Sequence, residues 1–369
     1  MELGLVDLTA SKDASAYRRL TTGYRVHTHL IYTAGQKIYC FAGAPDRCAA
    51  VISYDLKSEE VKIIRQAKDT SVDPELISIP EHITFPTIAA DGTPTATAYG
   101  YYYPPKNPNF QGLEGTAPPL LVMLHGGPTG GSFPLLDLKK LYFTSRGFAI
   151  LDVNYRGSTS YGRNYRNLLR TKWGVFDVDD ACQGALYLVQ QGKADRQKLC
   201  ITGGSAGGYA VLACLTFRSG VFAVGGCHYG ISDLTLLQED THKFEARYND
   251  SLIGPWPQAK ALYDERSPIN STDKLSTPVI FFHGTEDKVV PINQAEKLYA
   301  VLKEKKIPTA LVVFPGEGHG FRDAKNIHTA VDGEYYFFCR ILGIPCSGLD
   351  SVAEKLNIIN LSSTPAKKD

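Results

Sequence analysis

Leu199-Cys200-Ile201-Thr202-Gly203-Gly204-Ser205-Ala206-Gly207-Gly208-Tyr209 is the stretch that decides the fold. Residues 199–202 form an apolar run of strand character. Residues 203–207 spell G-x-S-x-G, and a helical pattern over 209–217 begins directly behind them. A serine on a strand-to-helix elbow of this kind stands at the tip of a sheet in a strained backbone conformation. Gly203 and Gly207 fit positions where a Cβ would collide with the neighbouring strand or helix. The helix that opens after Ser205 offers unpaired N–H groups and a partial positive charge to a developing oxyanion. The competing reading is a glycine-rich connector for phosphate. That loop calls for Gly-Lys-Ser/Thr, which is absent.

Outward from the elbow, apolar runs alternate with helical patterns. Strands are expected at 120–124, 149–153, 199–202, 223–227, 279–282 and 310–314, with helices at 136–145, 175–190, 209–217, 292–304 and 324–342. The strand runs are continuously apolar, as strands covered on both faces should be. Their alternation with helices predicts an α/β fold with a doubly wound, mostly parallel sheet. Residues 1–86 read differently, as short strands at 28–33, 37–42, 49–54 and 60–65 separated by turns. That spacing predicts antiparallel β, and four strands in about 40 residues match one propeller blade. Residues 347–369 carry a short helix at 351–356 and end in a frayed tail from Thr364.

A nucleophilic serine needs a base, and the base needs an orienting carboxylate. Around a G-x-S-x-G elbow the chain order is Ser, then Asp or Glu, then His. His82 and His125 precede Ser205, and His283 precedes the best acid, which leaves His319 and His328. His319 lies in Pro315-Gly316-Glu317-Gly318-His319-Gly320, a loop at the end of a strand, where α/β sites form. His328 lies inside a helical run. Asp287 sits on the loop after the strand at 279–282, with Glu286 as its rival. His125-Gly126-Gly127-Pro128 follows the strand at 120–124. Its glycines allow close backbone approach, so Gly126 or Gly127 and Ala206 are the expected oxyanion donors. Candidate substrate contacts are Tyr155, Arg156 and Tyr209. Arg156 either holds a substrate carbonyl or pairs with local acids. Asp177, Asp179 and Asp180 read as a solvated helix start, since carboxylates favour helix N-termini. They lack the spacing of a metal cage, and with no metal or nucleotide motif no cofactor is expected.

Composition narrows the partners. The 369 residues are 43% hydrophobic and 21% charged, which excludes bulk disorder and suggests two domains. Thirty-nine basic residues against 38 acidic ones, without a basic stripe, give no support for nucleic-acid binding. No apolar run reaches the roughly 18–20 residues of a membrane helix, and no secretory signal is read at 1–10. Eight cysteines without CxxC spacing read as reduced thiols of a cytoplasmic protein.

With these pieces placed, the chain resembles the prolyl oligopeptidase-family serine peptidases, and within them the acylaminoacyl-peptidase-like branch. The resemblance covers about residues 81–345. It rests on Tyr102-Tyr103-Pro104-Pro105, His125-Gly126-Gly127-Pro128, Asn154-Tyr155-Arg156-Gly157-Ser158, Trp173-Gly174, the run from Gly203 to Tyr209, His283-Gly284-Thr285-Glu286-Asp287 and Gly318-His319-Gly320. It implies an α/β-hydrolase domain, drawn here as 87–346, with Ser205, Asp287 and His319 as its triad. It implies hydrolysis of short or acylated peptides, of oligopeptidase, aminopeptidase or acylaminoacyl-peptidase type. It also implies a preceding β-propeller that caps the site. Propellers need about 4–8 blades of roughly 40–45 residues. Residues 1–86 supply two at most, so a truncated propeller is expected, in a C-terminal part of a longer protein or in a remnant packed another way. An open β edge would let copies pair into a homo-oligomer. The alternatives are a carboxylesterase-like hydrolase with an open site, and a silent truncated form that serves as a binding module.

Overall fold

The structure, a computed structural model, describes residues 3–6, 17–67, 72–88, 92–93, 95–240, 246–346 and 348–361. The tail from Thr364 and most of the N-terminal segment read for a signal lie outside them. Two compact units are present. The first contains residues 1–81, 103–111 and 133–147, and the second contains 82–102, 112–132 and 148–369.

In the first unit β1 (Gly4–Val6) pairs with β2 (Tyr17–Arg19). Strands β3 (Val26–Ala34), β4 (Lys37–Ala44), β5 (Arg47–Asp55) and β6 (Val61–Gln66) form a four-stranded antiparallel meander. These are the four strands expected from the spacing. Alternation along the first part of each strand sets the buried face: Ile38, Cys40 and Ala42 of β4 pack with Ala50, Ile52 and Tyr54 of β5, while Lys37 and Phe41 face outward. Helix α1 (Leu138–Thr144), capped by Asp137 through the N–H groups of Lys139 and Lys140, also belongs to this unit. The segment before it is tied in by Leu136 N–H donating to Ala44 O at 2.9 Å.

The second unit is a mixed, mostly parallel eight-stranded sheet. Its strands are β7 (Glu81–Thr87), β8 (Ala96–Tyr103), β9 (Leu120–Leu124), β10 (Ala149–Asn154), β11 (Leu199–Gly204), β12 (Val224–His228), β13 (Val279–Gly284) and β14 (Thr309–Phe314), in the order β14-β13-β12-β11-β9-β10-β8-β7. All five ladders from β10 to β14 are parallel. The continuously apolar runs are these central strands, buried at nearly every position. Strands β7 and β8 were not expected. They lie beyond β10 at the edge, and β7 alternates between exposed and buried residues.

Ten α-helices are assigned among the described residues. After α1 come α2 (Gly162–Asn167), α3 (Phe176–Gln190), α4 (Ala206–Phe217), α5 (Leu234–Asp240), α6 (Tyr248–Leu252), α7 (Lys260–Arg266), α8 (Asn293–Glu304), α9 (Ala324–Leu342) and α10 (Asp350–Leu356). Helix α4 follows β11 directly and has eleven buried residues, so it runs through the core beneath the elbow. The acids at the start of α3 correct the expected solvated start, because all three are buried. Asp180 carries a two-pronged ion pair from Arg156, Asp179 takes Arg218, and Asp177 accepts the Gly174 N–H at 2.7 Å. Burial pushes the Asp177 carboxyl up to about 7.

Candidate active site

Ser205 leaves β11 with φ 57° and ψ −124°, a region that side chains rarely occupy. Neighbouring backbone forces this geometry. Its N–H donates to His228 O of β12 at 3.0 Å. A Cβ on Gly203 would lie 2.5 Å from the Gly207 carbonyl carbon, and one on Gly207 would strike Leu124 O of β9. The two glycines let strand, elbow and helix pass at contact distance, as the spacing predicts.

The loop after β14 brings His319 to this point. Its Nε2 is 2.9 Å from Ser205 Oγ and its Nδ1 is 2.8 Å from Asp287 Oδ2. Asp287 stands on the loop after β13, next to β14 in the sheet, so parallel order sets the two loops side by side. The other oxygen, Asp287 Oδ1, accepts the N–H groups of Val289 and Val290, both at 2.9 Å. Burial pushes this carboxyl upward, but the His319 hydrogen bond and the Val290 and Val289 donors outweigh it. The net pKa lies below the ordinary carboxylate value. Asp287 Oδ2 therefore fixes Nδ1–H on His319 and leaves Nε2 free to accept the Ser205 proton. Glu286 does not join this set, and His328 is exposed on α9.

The Gly126-Gly127 loop lies against the elbow. A Cβ on Gly126 would be 3.2 Å from Gly204 O and 3.4 Å from Ser205 Cβ. Ala206 is the first residue of α4, where an N–H has no partner within the helix. The three candidate substrate contacts turn inward instead. Tyr155, Arg156 and Tyr209 are 1%, 2% and 0% exposed. Tyr155 OH donates to Pro128 O, Arg156 is spent on Asp180 and stacks over Phe176, and Tyr209 OH donates to Arg266 O. For Tyr155 and Tyr209 a substrate-holding role is corrected to a structural one, and of the two readings of Arg156 the structure has the pairing with a local acid, because these polar ends are already paired inside the fold.

Two residues near the site were missed. Tyr229 follows β12 with φ 38° and sets its ring edge-on to His319, with centroids 4.9 Å apart. Strand register could have found it, since β12 lies between β11 and β13 and its C-terminal end faces the site. Glu317 clamps the His319 loop by accepting from Arg322 N, Asp323 N and Asn326 Nδ2, each at 2.9 Å.

Residues 135–345 match the model of the prolyl oligopeptidase family. Among curated proteins, the chain is 32% identical over 223 residues to dipeptidyl aminopeptidase BIII of Pseudoxanthomonas mexicana, covering 59% of this chain and 32% of that one. It is 31% identical over 217 residues to the acylamino-acid-releasing enzyme of Arabidopsis thaliana, covering 56% of this chain and 28% of that one. Among solved structures, a puromycin-hydrolyzing peptidase of Mycobacterium tuberculosis superposes with a TM-score of 0.88 at 38% identity, over 94% of this chain and 51% of that one. The chain spans about a third of these curated relatives and about half of that solved chain. Among the described residues, no helix is long and apolar enough to cross a membrane.

Proposed function

This chain belongs to the prolyl oligopeptidase family, and on that premise we propose that it is a serine peptidase acting on short or acylated peptides. The observation that carries the proposal is the relay from Asp287 through His319 to Ser205, with spacings of 2.8 and 2.9 Å, on a strained elbow. Ser205 Oγ attacks the substrate carbonyl while His319 Nε2 takes its proton. Asp287 holds the imidazole in the required tautomer and stabilises the imidazolium. The carbonyl oxygen, now an oxyanion, is received by the N–H of Ala206 and that of Gly126 or Gly127. The C–N bond breaks as His319 returns the proton to the leaving amine. Water, activated by the same histidine, then attacks the acyl carbon and frees Ser205.

We assign this chemistry to the second unit, whose sheet begins with β7 (Glu81–Thr87), earlier than the boundary of 87 drawn from the sequence, and which follows the blade-like strands β3 to β6 in the chain. The relatives named above are an aminopeptidase, an acylamino-acid-releasing enzyme and a puromycin-hydrolyzing peptidase, which favours amide over ester substrates. Six of the eight cysteines are buried, a setting that suits thiols kept reduced, and we assign the chain to the cytoplasm on that basis. The test compares a matched peptide amide and ester on wild type and Ser205→Ala. Amide turnover by wild type alone supports the proposal. Ester turnover without amide turnover would replace it with an esterase.

A further inference from the structure

The motif Asn154-Tyr155-Arg156-Gly157-Ser158 is left without a role once its side chains are seen to face inward. We propose that Tyr155 and Ser158, acting through His125, are positioning residues that aim the Gly127 N–H of the oxyanion loop. The proposal rests on the peptidase reading of Ser205.

Gly126 and Gly127 have no side chains, and Gly127 sits at φ 127°, so the loop cannot hold its own peptide planes. The residues around it do so. The His125 ring stacks on Tyr155 with centroids 4.2 Å apart. Removal from water holds its pKa below the ordinary histidine value, so it is neutral at pH 7 and has one N–H to give. Nδ1 lies 2.8 Å from Gly126 O, which can only accept, so the proton is on Nδ1. Nε2 must then accept from Ser158 Oγ at 2.7 Å. Tyr155 OH donates to Pro128 O at 2.9 Å.

Peptide planarity completes the argument. The carbonyl of Gly126 and the N–H of Gly127 belong to one trans peptide and point in opposite directions. Tethering Gly126 O to His125 therefore fixes the direction of the Gly127 N–H. Ser158, donating to Nε2, holds the ring in the orientation that allows the tether. Asn154 of the motif and Thr159 directly after it bracket the same loop: Asn154 exchanges two hydrogen bonds with the Ser132 backbone, and Thr159 N–H donates to Gly130 O at 2.7 Å. The Arg156 pair with Asp180 anchors the motif to α3.

The experiment uses Ser158→Ala and Tyr155→Phe in the full chain. Each is measured for kcat and KM on a peptide amide, for affinity to the matching peptidyl trifluoromethyl ketone, and for thermal midpoint. The ketone forms a hemiketal whose oxygen occupies the oxyanion position, so its affinity reports the aim of the donors. A whole donor is worth about 10²–10³ in turnover, and a misaimed one costs less. The expected result is a fall in kcat of about 10–100-fold, with KM unchanged and ketone affinity reduced by the same factor. Unchanged kcat in both variants would overturn the proposal. So would a loss of activity that leaves ketone affinity intact or follows only the unfolded fraction. A wild-type chain that neither hydrolyses the peptide nor binds the ketone would overturn the peptidase reading itself, and this proposal with it.

Discussion

Replacing Asp287 with asparagine separates the chemistry of the carboxylate from its structural work. Asp287 Oδ1 is held by two backbone donors, Val289 and Val290. An asparagine keeps an acceptor oxygen there, so those bonds fix the orientation of its amide. The Nδ2 group is then left facing His319 Nδ1, 2.8 Å away in the parent. Two N–H groups cannot face each other at that distance, so the imidazole must turn its bare nitrogen to the amide and carry its proton on Nε2. In that tautomer it cannot accept from Ser205 Oγ. In chymotrypsin-like proteases the same tautomer reversal lowers kcat by about 10⁴, or roughly 5.5 kcal/mol of transition-state stabilisation, and a loss of that order is expected here. The assay is steady-state peptide hydrolysis at neutral pH, with circular dichroism to show that the fold persists. KM should move little. A folded variant that keeps more than about a tenth of wild-type kcat would refute the account of how Asp287 acts on His319.

Asp177 gives a pH-dependent prediction. Its native pKa of about 7 lies above the unfolded value of 3.8, so the native state binds the extra proton between these limits. Stability linked to this group is present at low pH and falls as pH rises to about 7, by an amount on the order of 4 kcal/mol at ~1.4 kcal/mol per unit. Asp177→Asn should therefore gain on wild type between pH 5 and 8 in thermal melts, and a pH-independent difference would contradict this. Ser205→Gly should be more stable than Ser205→Ala by about 1–2 kcal/mol, because glycine relieves the strain at φ 57° that alanine keeps; equal midpoints would show the elbow to be unstrained. Asp180→Ala strands the buried Arg156 guanidinium and should cost about 3–5 kcal/mol in denaturant unfolding, with a cost below 1 kcal/mol as the contrary result.

The parallel sheet was legible because strands buried on both faces are written as unbroken apolar runs. Helix α9 was read to its ends, since Asp323 caps it and Gly343 closes it in the left-handed conformation. Ser205, Asp287 and His319 were legible because each follows a strand in the order the elbow demands, and the structure brings the three together. What was misread depends on distant partners. Asp180 looks solvated until Arg156, 24 residues earlier in the chain, is seen to cover it. Asp179 waits on Arg218, 39 residues later. Tyr155, Arg156 and Tyr209 carry polar ends that suit a substrate, and only tertiary contacts show those ends already paired. The edge strand β7 and its neighbour β8 escaped because both alternate between buried and less buried residues and lack the unbroken apolar signature.

The central claim is that Ser205 is an activated nucleophile in this chain. Reaction of the purified protein with a fluorophosphonate, followed by intact mass, tests it most directly, with Ser205→Ala and heat-denatured protein as controls. The account predicts one adduct per folded wild-type chain and none on either control. A folded wild-type chain that remains unlabelled, or a Ser205→Ala chain that labels equally, would contradict it.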